Sequence, residues 1–263
     1  MLKFIIPLLI WATGAAAQPM GHGTQLTVLS GWDDADGTRV VALRIDMADG
    51  WKTYWRAPGD AGIPPLIRMG NSDAVTGASI YWPVPKVFDQ GAARSIGYES
   101  SVTVPMRLTR QATTGPLRLQ GRIDIGVCDE VCIPVSLPFD AQLPPTTVRD
   151  PAIIAALVNR PDTAKEAGVT NSTCKLSPTD DGLEIEVRFA LPKASQVTDV
   201  VIEAGNPHVW VSQPDMQRDG RVITATADMV HVDAGVFSVD RSKLRMTAFG
   251  KSLAVDIQGC KAP

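Results

Sequence analysis

Apolar residues along this chain come in short runs broken by turn formers, which is the pattern of strands and not of long helices. Between residues 30 and 143 the runs fall at Thr38 to Met47, Ser79 to Trp82, Ser101 to Leu108, Leu117 to Val127 and Ile133 to Leu143. Asp49-Gly50, Pro58-Gly59 and Gly115-Pro116 punctuate them, a combination that predicts an antiparallel β-sandwich. A polar, proline-bearing stretch, Leu143 to Asp150, follows. Pro151 to Val158 then reads as a helix, with Asp150 as N-cap and Pro151 at its first position. From Thr173 the β signals return, at Leu183 to Leu191, Thr198 to Glu203, His208 to Ser212, Arg221 to Thr226, Leu244 to Phe249 and Ser252 to Ile257. The expected organisation is residues 18–143 as a first β domain, 144–168 as a linker with a short helix, and 169–263 as a second β domain. No internal repeat or low-complexity segment links the halves.

The N-terminus places the chain in a compartment. Met1-Leu-Lys3 is a short basic region, Phe4 to Trp11 an apolar core, and Ala15-Ala-Ala17 a small-residue cleavage site before Gln18. This is the pattern of a signal peptide over residues 1–17. The apolar run is too short to span a bilayer, and no later run reaches the ~18 residues a membrane helix needs. Loss of Lys3 takes the formal charge from −3 to −3 − 1 = −4, too mild and too mixed to point to nucleic acid or a charged membrane surface. About 263 − 17 = 246 residues remain, enough for one large or two ordinary domains.

Four cysteines carry the chemistry, and they separate into two pairs. Cys128 and Cys132 stand in Gly126-Val-Cys-Asp-Glu-Val-Cys-Ile-Pro134. On an extended strand, positions four apart lie roughly 13 Å from one another at ~3.3 Å per residue, beyond the reach of a disulfide. The β-branched Ile125, Val127, Ile133 and Val135, together with Pro134, argue against a helix. A hairpin or tight loop tipped by Asp129-Glu130-Val131 remains. A small exposed ring of that kind belongs with labile or catalytic disulfides. Asp129 and Glu130 would raise the pKa of neighbouring thiols unless the fold turns them away; as plain turn residues they would simply be solvated. Cys174 and Cys260 enclose about 87 residues, and a staple of that span adds on the order of 4–5 kcal/mol by loop closure. It reads as structural.

Several motifs occur in order before and around the first pair: Asp49-Gly-Trp-Lys-Thr-Tyr54-Trp55-Arg-Ala-Pro-Gly59, Tyr81-Trp82-Pro-Val-Pro85, Gly97-Tyr98, Val104-Pro105, and Cys128 to Pro134. They resemble the N-terminal periplasmic domain of the DsbD thiol:disulfide interchange family, and within it the ScsB-like branch. The resemblance covers residues 30 to 143 well and the rest loosely. It implies an all-β chain in which an immunoglobulin-like sandwich precedes a second, smaller β-sandwich-like domain. It also implies a periplasmic location and a redox pair, Cys128 and Cys132, that needs no cofactor and no metal. That pair would take electrons from a membrane-embedded thiol donor and pass them to thioredoxin-like or disulfide-bearing periplasmic proteins. By the same resemblance Cys132 is the cysteine that engages partners.

The family shields its disulfide with a cap loop, and Phe88 to Gly97 falls where that loop would lie, although in DsbD itself the covering aromatic and the cysteines are spaced differently. Tyr54, Phe88 and Tyr98 are therefore the candidate shielding residues. Trp51, Tyr54 and Trp55 also suit core packing, as aromatics do in any sandwich. This chain carries neither the multi-helix membrane domain nor the thioredoxin-like domain of longer members.

Two other classes of function fit parts of the pattern. Cys-x-x-x-Cys-x-Pro is similar to the copper site of Sco-type chaperones, and soft thiolates select Cu(I). A third ligand would have to come from His22, His208 or His231, or from Met20, all remote in sequence. A non-catalytic binding module with two structural disulfides is the other. There is no Gly-x-Ser-x-Gly elbow, phosphate-cradling glycine loop or His-Glu-x-x-His motif.

Overall fold

The computed structural model describes residues 23–59, 62–70, 75–90, 93–111 and 115–263. The signal peptide assigned to residues 1–17 lies outside them, as do Met20 and His22. Among the described residues, the first half contains β1 (Gln25–Asp33), β2 (Arg39–Asp46), β3 (Lys52–Tyr54), β4 (Leu66–Met69), β5 (Val75–Ile80), β6 (Lys86–Gln90), β7 (Ala93–Glu99), β8 (Ser101–Arg110), β9 (Leu117–Cys128) and β10 (Cys132–Leu143). Two antiparallel sheets result, one ordered β1-β2-β8-β5 and the other β10-β9-β3-β7-β6, with β4 also paired to β9.

Side chains alternate across a strand with period two. Val102, Val104, Met106 and Leu108 of β8 are accordingly buried on one face, and so are Leu117, Leu119, Ile123, Ile125 and Val127 of β9. The core lies between the two sheets, as a sandwich requires. The helix α1 (Pro151–Val158) forms with Asp150 as its N-cap, whose carboxylate accepts from the N–H groups of Ala152 and Ile153. Its Ile153 is buried against Trp32, Val40 and Ala42 of the first sandwich.

The second half comprises β11 (Asp162–Thr163), β12 (Thr170–Pro178), β13 (Leu183–Ala190), β14 (Asp199–Glu203), β15 (Val209–Val211), β16 (Asp215–Asp219), β17 (Val222–His231), β18 (Arg245–Gly250) and β19 (Leu253–Gln258). Its sheets run β11-β19-β18-β14 and β12-β13-β17-β15, with β16 also on β17. Cys174 of β12 and Cys260 are bonded, with Cα atoms 5.7 Å apart.

The sequence pattern misses several strands, and each for a local reason. β3 is three residues long and β4 four, too short to display a period. β1 carries a register shift between Leu29 and Trp32 that breaks its alternation. The stretch assigned to a cap loop, Phe88 to Gly97, falls on the β6–β7 hairpin, where Phe88 faces Ser95 and Val87 faces Ile96.

A buried junction joins the halves. The Trp55 ring meets Phe249 edge-on at 6.1 Å, and Val201 and Ala254 pack with Ile96 in the same apolar cluster. The Arg56 guanidinium lies 3.9 Å over the Trp55 ring, pairs with Glu203 at 3.0 Å and donates to the Thr247 hydroxyl at 2.8 Å. Burial pulls the Arg56 pKa down, and Glu203 opposes that shift. Arg94 forms a second ion pair, with Asp199. Removing one partner of a buried pair leaves the other charge uncompensated, and Arg56 also supplies packing over Trp55. Arg56→Ala is therefore expected to cost about 2–3 kcal/mol, read as a lower urea midpoint, whereas Arg44→Ala, which removes an exposed pair with Asp46, should shift it by less than about 1 kcal/mol.

Candidate functional site

The site is built on the register of three strands. Strands β9 and β10 pair without interruption from Leu117↔Leu143 down to Cys128↔Cys132, so the two cysteines end the ladder directly opposite one another. Their Cα atoms are 4.1 Å apart and the sulfurs are bonded. Asp129, Glu130 and Val131 form the exposed tip beyond them. Cys128 is a buried residue and Cys132 an exposed one, so the two ends of the disulfide differ in their access to solvent.

Strand β3 covers the inner sulfur. Lys52 pairs with Cys128 on one side and with Glu99 on the other, while Thr53 pairs with Val127 and Tyr98. Alternation then puts Cys128, Lys52 and Tyr54 on the outer face, and Val127, Thr53 and Tyr98 on the core face. The Thr53 hydroxyl donates to the Gly126 carbonyl at 2.8 Å, pinning β3 to β9. Tyr54 is buried, with its hydroxyl 2.9 Å from the Cys128 sulfur and 3.1 Å from that of Cys132. Burial raises the Tyr54 pKa above its ordinary value, so the phenol keeps its proton and can donate towards the sulfurs.

Two glycines make room for that ring. A Cβ on Gly126 would lie 3.0 Å from Tyr54 Cε2, and one on Gly62 would lie 2.8 Å from Tyr54 Cδ1. The sequence signal for Gly126 was available, since a glycine inside a strand marks a close approach. Gly62 lies outside any strand and offered none.

The other shielding candidates take different places. Tyr98 is turned to the core by the register given above, and its hydroxyl donates to the Pro83 carbonyl at 2.8 Å; burial holds its pKa well above the ordinary value. Phe88 shares the outer face but stands on β6, three strand spacings from β9, about 14 Å at ~4.8 Å per spacing. The Lys52 ammonium sits 4.7 Å from its ring centroid. Trp55 belongs to the junction and Trp51 packs against the core cluster. His208, in the turn before β15, and His231, at the end of β17, stack on each other at 5.8 Å, and among the described residues no three of His, Cys, Asp and Glu gather as a metal site.

Residues 25–144 match the family profile "Thiol:disulfide interchange protein DsbD, N-terminal". Over these residues the chain is similar to the DsbD N-terminal domain. Over 95% of this chain and 98% of the other, the fold is similar to the crystal structure of the N-terminal periplasmic domain of ScsB from Proteus mirabilis, with a TM-score of 0.68 and 21% identity. The likeness therefore includes the second half of the chain, which lies outside the DsbD profile. Among curated protein sequences there is no match. Among the described residues, no helix is long and apolar enough to cross a membrane.

If the glycine at 126 is what seats Tyr54, a larger side chain there must expel the ring. Gly126→Val is expected to speed reduction of Cys128–Cys132 by dithiothreitol several-fold, while reduction of Cys174–Cys260 stays unchanged. Timed alkylation with peptide mass spectrometry follows both pairs in one sample.

Proposed function

We propose that the chain is a periplasmic thiol:disulfide interchange protein in which Cys128 and Cys132 relay two electrons from a membrane-embedded thiol donor to thioredoxin-like or disulfide-bearing proteins. The observation that carries this reading is the asymmetry of the pair: Cys132 is an exposed residue and Cys128 a buried one, with the proton-bearing Tyr54 hydroxyl against both sulfurs. We assign export to the signal peptide at residues 1–17. The redox work goes to the first β domain, and the remote Cys174–Cys260 bond is read as a structural staple of the second.

In the reduced protein, the Cys132 thiolate attacks one sulfur of a substrate disulfide. A Cys132–substrate bond forms and the other substrate sulfur leaves as a thiolate. The Cys128 thiolate then attacks the Cys132 sulfur, restoring Cys128–Cys132 and expelling the second substrate thiolate. The substrate has gained two electrons and this protein has lost them. The donor reverses the sequence by entering at Cys132. Tyr54 stabilises whichever thiolate it faces, because a hydrogen bond to a charged acceptor is stronger than one to a neutral sulfur. That stabilisation lowers the thiol pKa and offsets the exposed carboxylates of Asp129 and Glu130.

Four measurements test the assignment. Cys128→Ser keeps the attacking thiol without its resolving partner, so it should accumulate a mixed disulfide with an oxidised acceptor on non-reducing gels, and Cys132→Ser should not. Cys174→Ser should lower thermal stability and leave exchange intact. Failure of both single-serine variants to trap any partner, combined with stoichiometric Cu(I) binding by the wild type, would replace the relay with a copper site. A reduction potential well below about −300 mV would instead mark an inert bridge and a binding module.

Tyr54→Phe keeps the ring and removes only the donor. It should raise the pKa of the titrating thiol and slow exchange with glutathione by about tenfold near neutral pH. A pH profile of alkylation separates this from a packing defect, which would change the rate without moving the midpoint.

A further inference from the structure

A cleft of about 500 Å³ opens between the halves, and nothing in the relay chemistry above uses it. Its lining is mainly apolar and includes Pro58, Ile96, Val201, Val209 and Trp210. The charged groups that border it, Arg56 with Glu203 and Arg94 with Asp199, are already paired. An ionic ligand would find no free counter-charge among them.

The backbone gives the cleft a direction. Residues Asp199 to Glu203 and Val209 to Val211 line it, and they are the strands β14 and β15. Among the described residues, β14 pairs only with β18 and β15 only with β17. Each is thus the edge of its sheet, and both edges border the same cavity. An edge strand presents a row of backbone donors and acceptors that another extended chain can satisfy. A compact apolar molecule filling the cleft would cover those groups without bonding them, at the cost of burying unpaired polar atoms. An extended polypeptide would satisfy them.

The cleft also adjoins the redox site. Pro58, Gly62 and Pro64 line it, and Gly62 lies against the edge of the Tyr54 ring whose hydroxyl touches both sulfurs. Two or three residues of extended chain, at ~3.3 Å each, span the width of that ring. Ile63, between the lining residues Gly62 and Pro64, is exposed and lies beside Gly126.

We propose that the cleft binds an extended, uncharged apolar segment of a disulfide-bearing polypeptide, paired as an added strand on β14 or β15, with the adjoining cysteine presented to Cys132. This rests on the thiol-exchange reading and narrows its substrates to polypeptides with exposed extended chain, as misoxidised or unfolded proteins have.

The test uses the oxidised full chain and a fluorescein-labelled, capped ten-residue peptide of alternating Val and Thr without cysteine, followed by anisotropy. Three comparisons accompany it. One is the same peptide N-methylated at its six central residues in succession, so that neither edge keeps its donors; another is the half-exposed lining residue changed by Trp210→Ala, and the last is Val236→Ala at a fully exposed position outside the lining. The unmodified peptide should bind. N-methylation should weaken binding at least about tenfold, since it removes several hydrogen bonds of ~1 kcal/mol each. Trp210→Ala should weaken it about fivefold or more through lost apolar contact, and Val236→Ala should leave it unchanged. A disulfide-linked version of the peptide should react more slowly with reduced Trp210→Ala than with reduced wild type, while the rate with oxidised glutathione stays the same.

Absence of peptide binding alongside normal glutathione exchange overturns the cleft assignment and leaves the redox reading standing. Equal binding of the N-methylated peptide overturns strand pairing, because the segment would then be held by side-chain contact alone. Peptide binding by a protein that exchanges with no disulfide overturns the substrate assignment, because the segment would then be held for some other purpose.

Discussion

The pairing register of β9 with β10 is the constraint on which the site depends. Twelve consecutive partners, Leu117↔Leu143 to Cys128↔Cys132, leave no freedom in how the hairpin ends. Because side chains alternate, a slip of one residue would send Val127 outward and turn Cys128 into the core. The slip is opposed along the whole hairpin, since Leu117, Leu119, Ile123, Ile125 and Val127 would all leave the core together. Each buried aliphatic side chain contributes about 1.5–3 kcal/mol relative to exposure, so the core of the sandwich fixes the position of two sulfurs at its rim. A hydrophobic term thereby sets the geometry of a disulfide of which only Cys128 is itself buried.

Much of this is visible in the amino-acid order. Runs of β-branched residues around Cys128 and Cys132 exclude the helix, and their spacing excludes a straight strand, so only a turn between them is left. The helix at Pro151 to Val158 is announced by its Asp-Pro start. What stays hidden is set by partners distant in sequence. Lys52 to Tyr54 makes only three residues of strand, and their role comes from pairing with Val127 and Cys128 on one side and with Gly97 to Glu99 on the other. No local pattern distinguishes Tyr54 from Tyr98 as the residue that meets the sulfurs. The difference is one of parity: Tyr98 stands opposite Thr53 and so shares its face. Phe88 is displaced for a related reason. The segment expected to fold over the disulfide as a loop instead pairs with β7, which holds the ring on β6 above the Lys52 ammonium.

The same short segment that builds the site also builds the junction. Tyr54 faces outward to the sulfurs, Trp55 turns inward to Phe249, and Arg56 reaches Glu203 and Thr247. Pro58 and Gly62 then form a wall shared by the Tyr54 ring and the cleft. Consecutive residues of one strand and the turn after it therefore contact the Cys128–Cys132 disulfide, the second half of the chain and the space between them.

This arrangement has a mechanical consequence. Movement of the second half against the first must pass through Trp55 and Arg56, whose neighbour Tyr54 is confined between Gly62 and Gly126 with little room to adjust. Close-packed interiors transmit displacement and do not absorb it. A chain entering the cleft against β14 would press on Glu203 and Asp199, the two acids that anchor Arg56 and Arg94 of the first half. The cleft and the cover of the disulfide are thus joined by covalently adjacent residues, Tyr54 to Arg56. On the proposed reading, the second half of the chain would present the edge strands β14 and β15 to a disulfide-bearing segment on its way to Cys132.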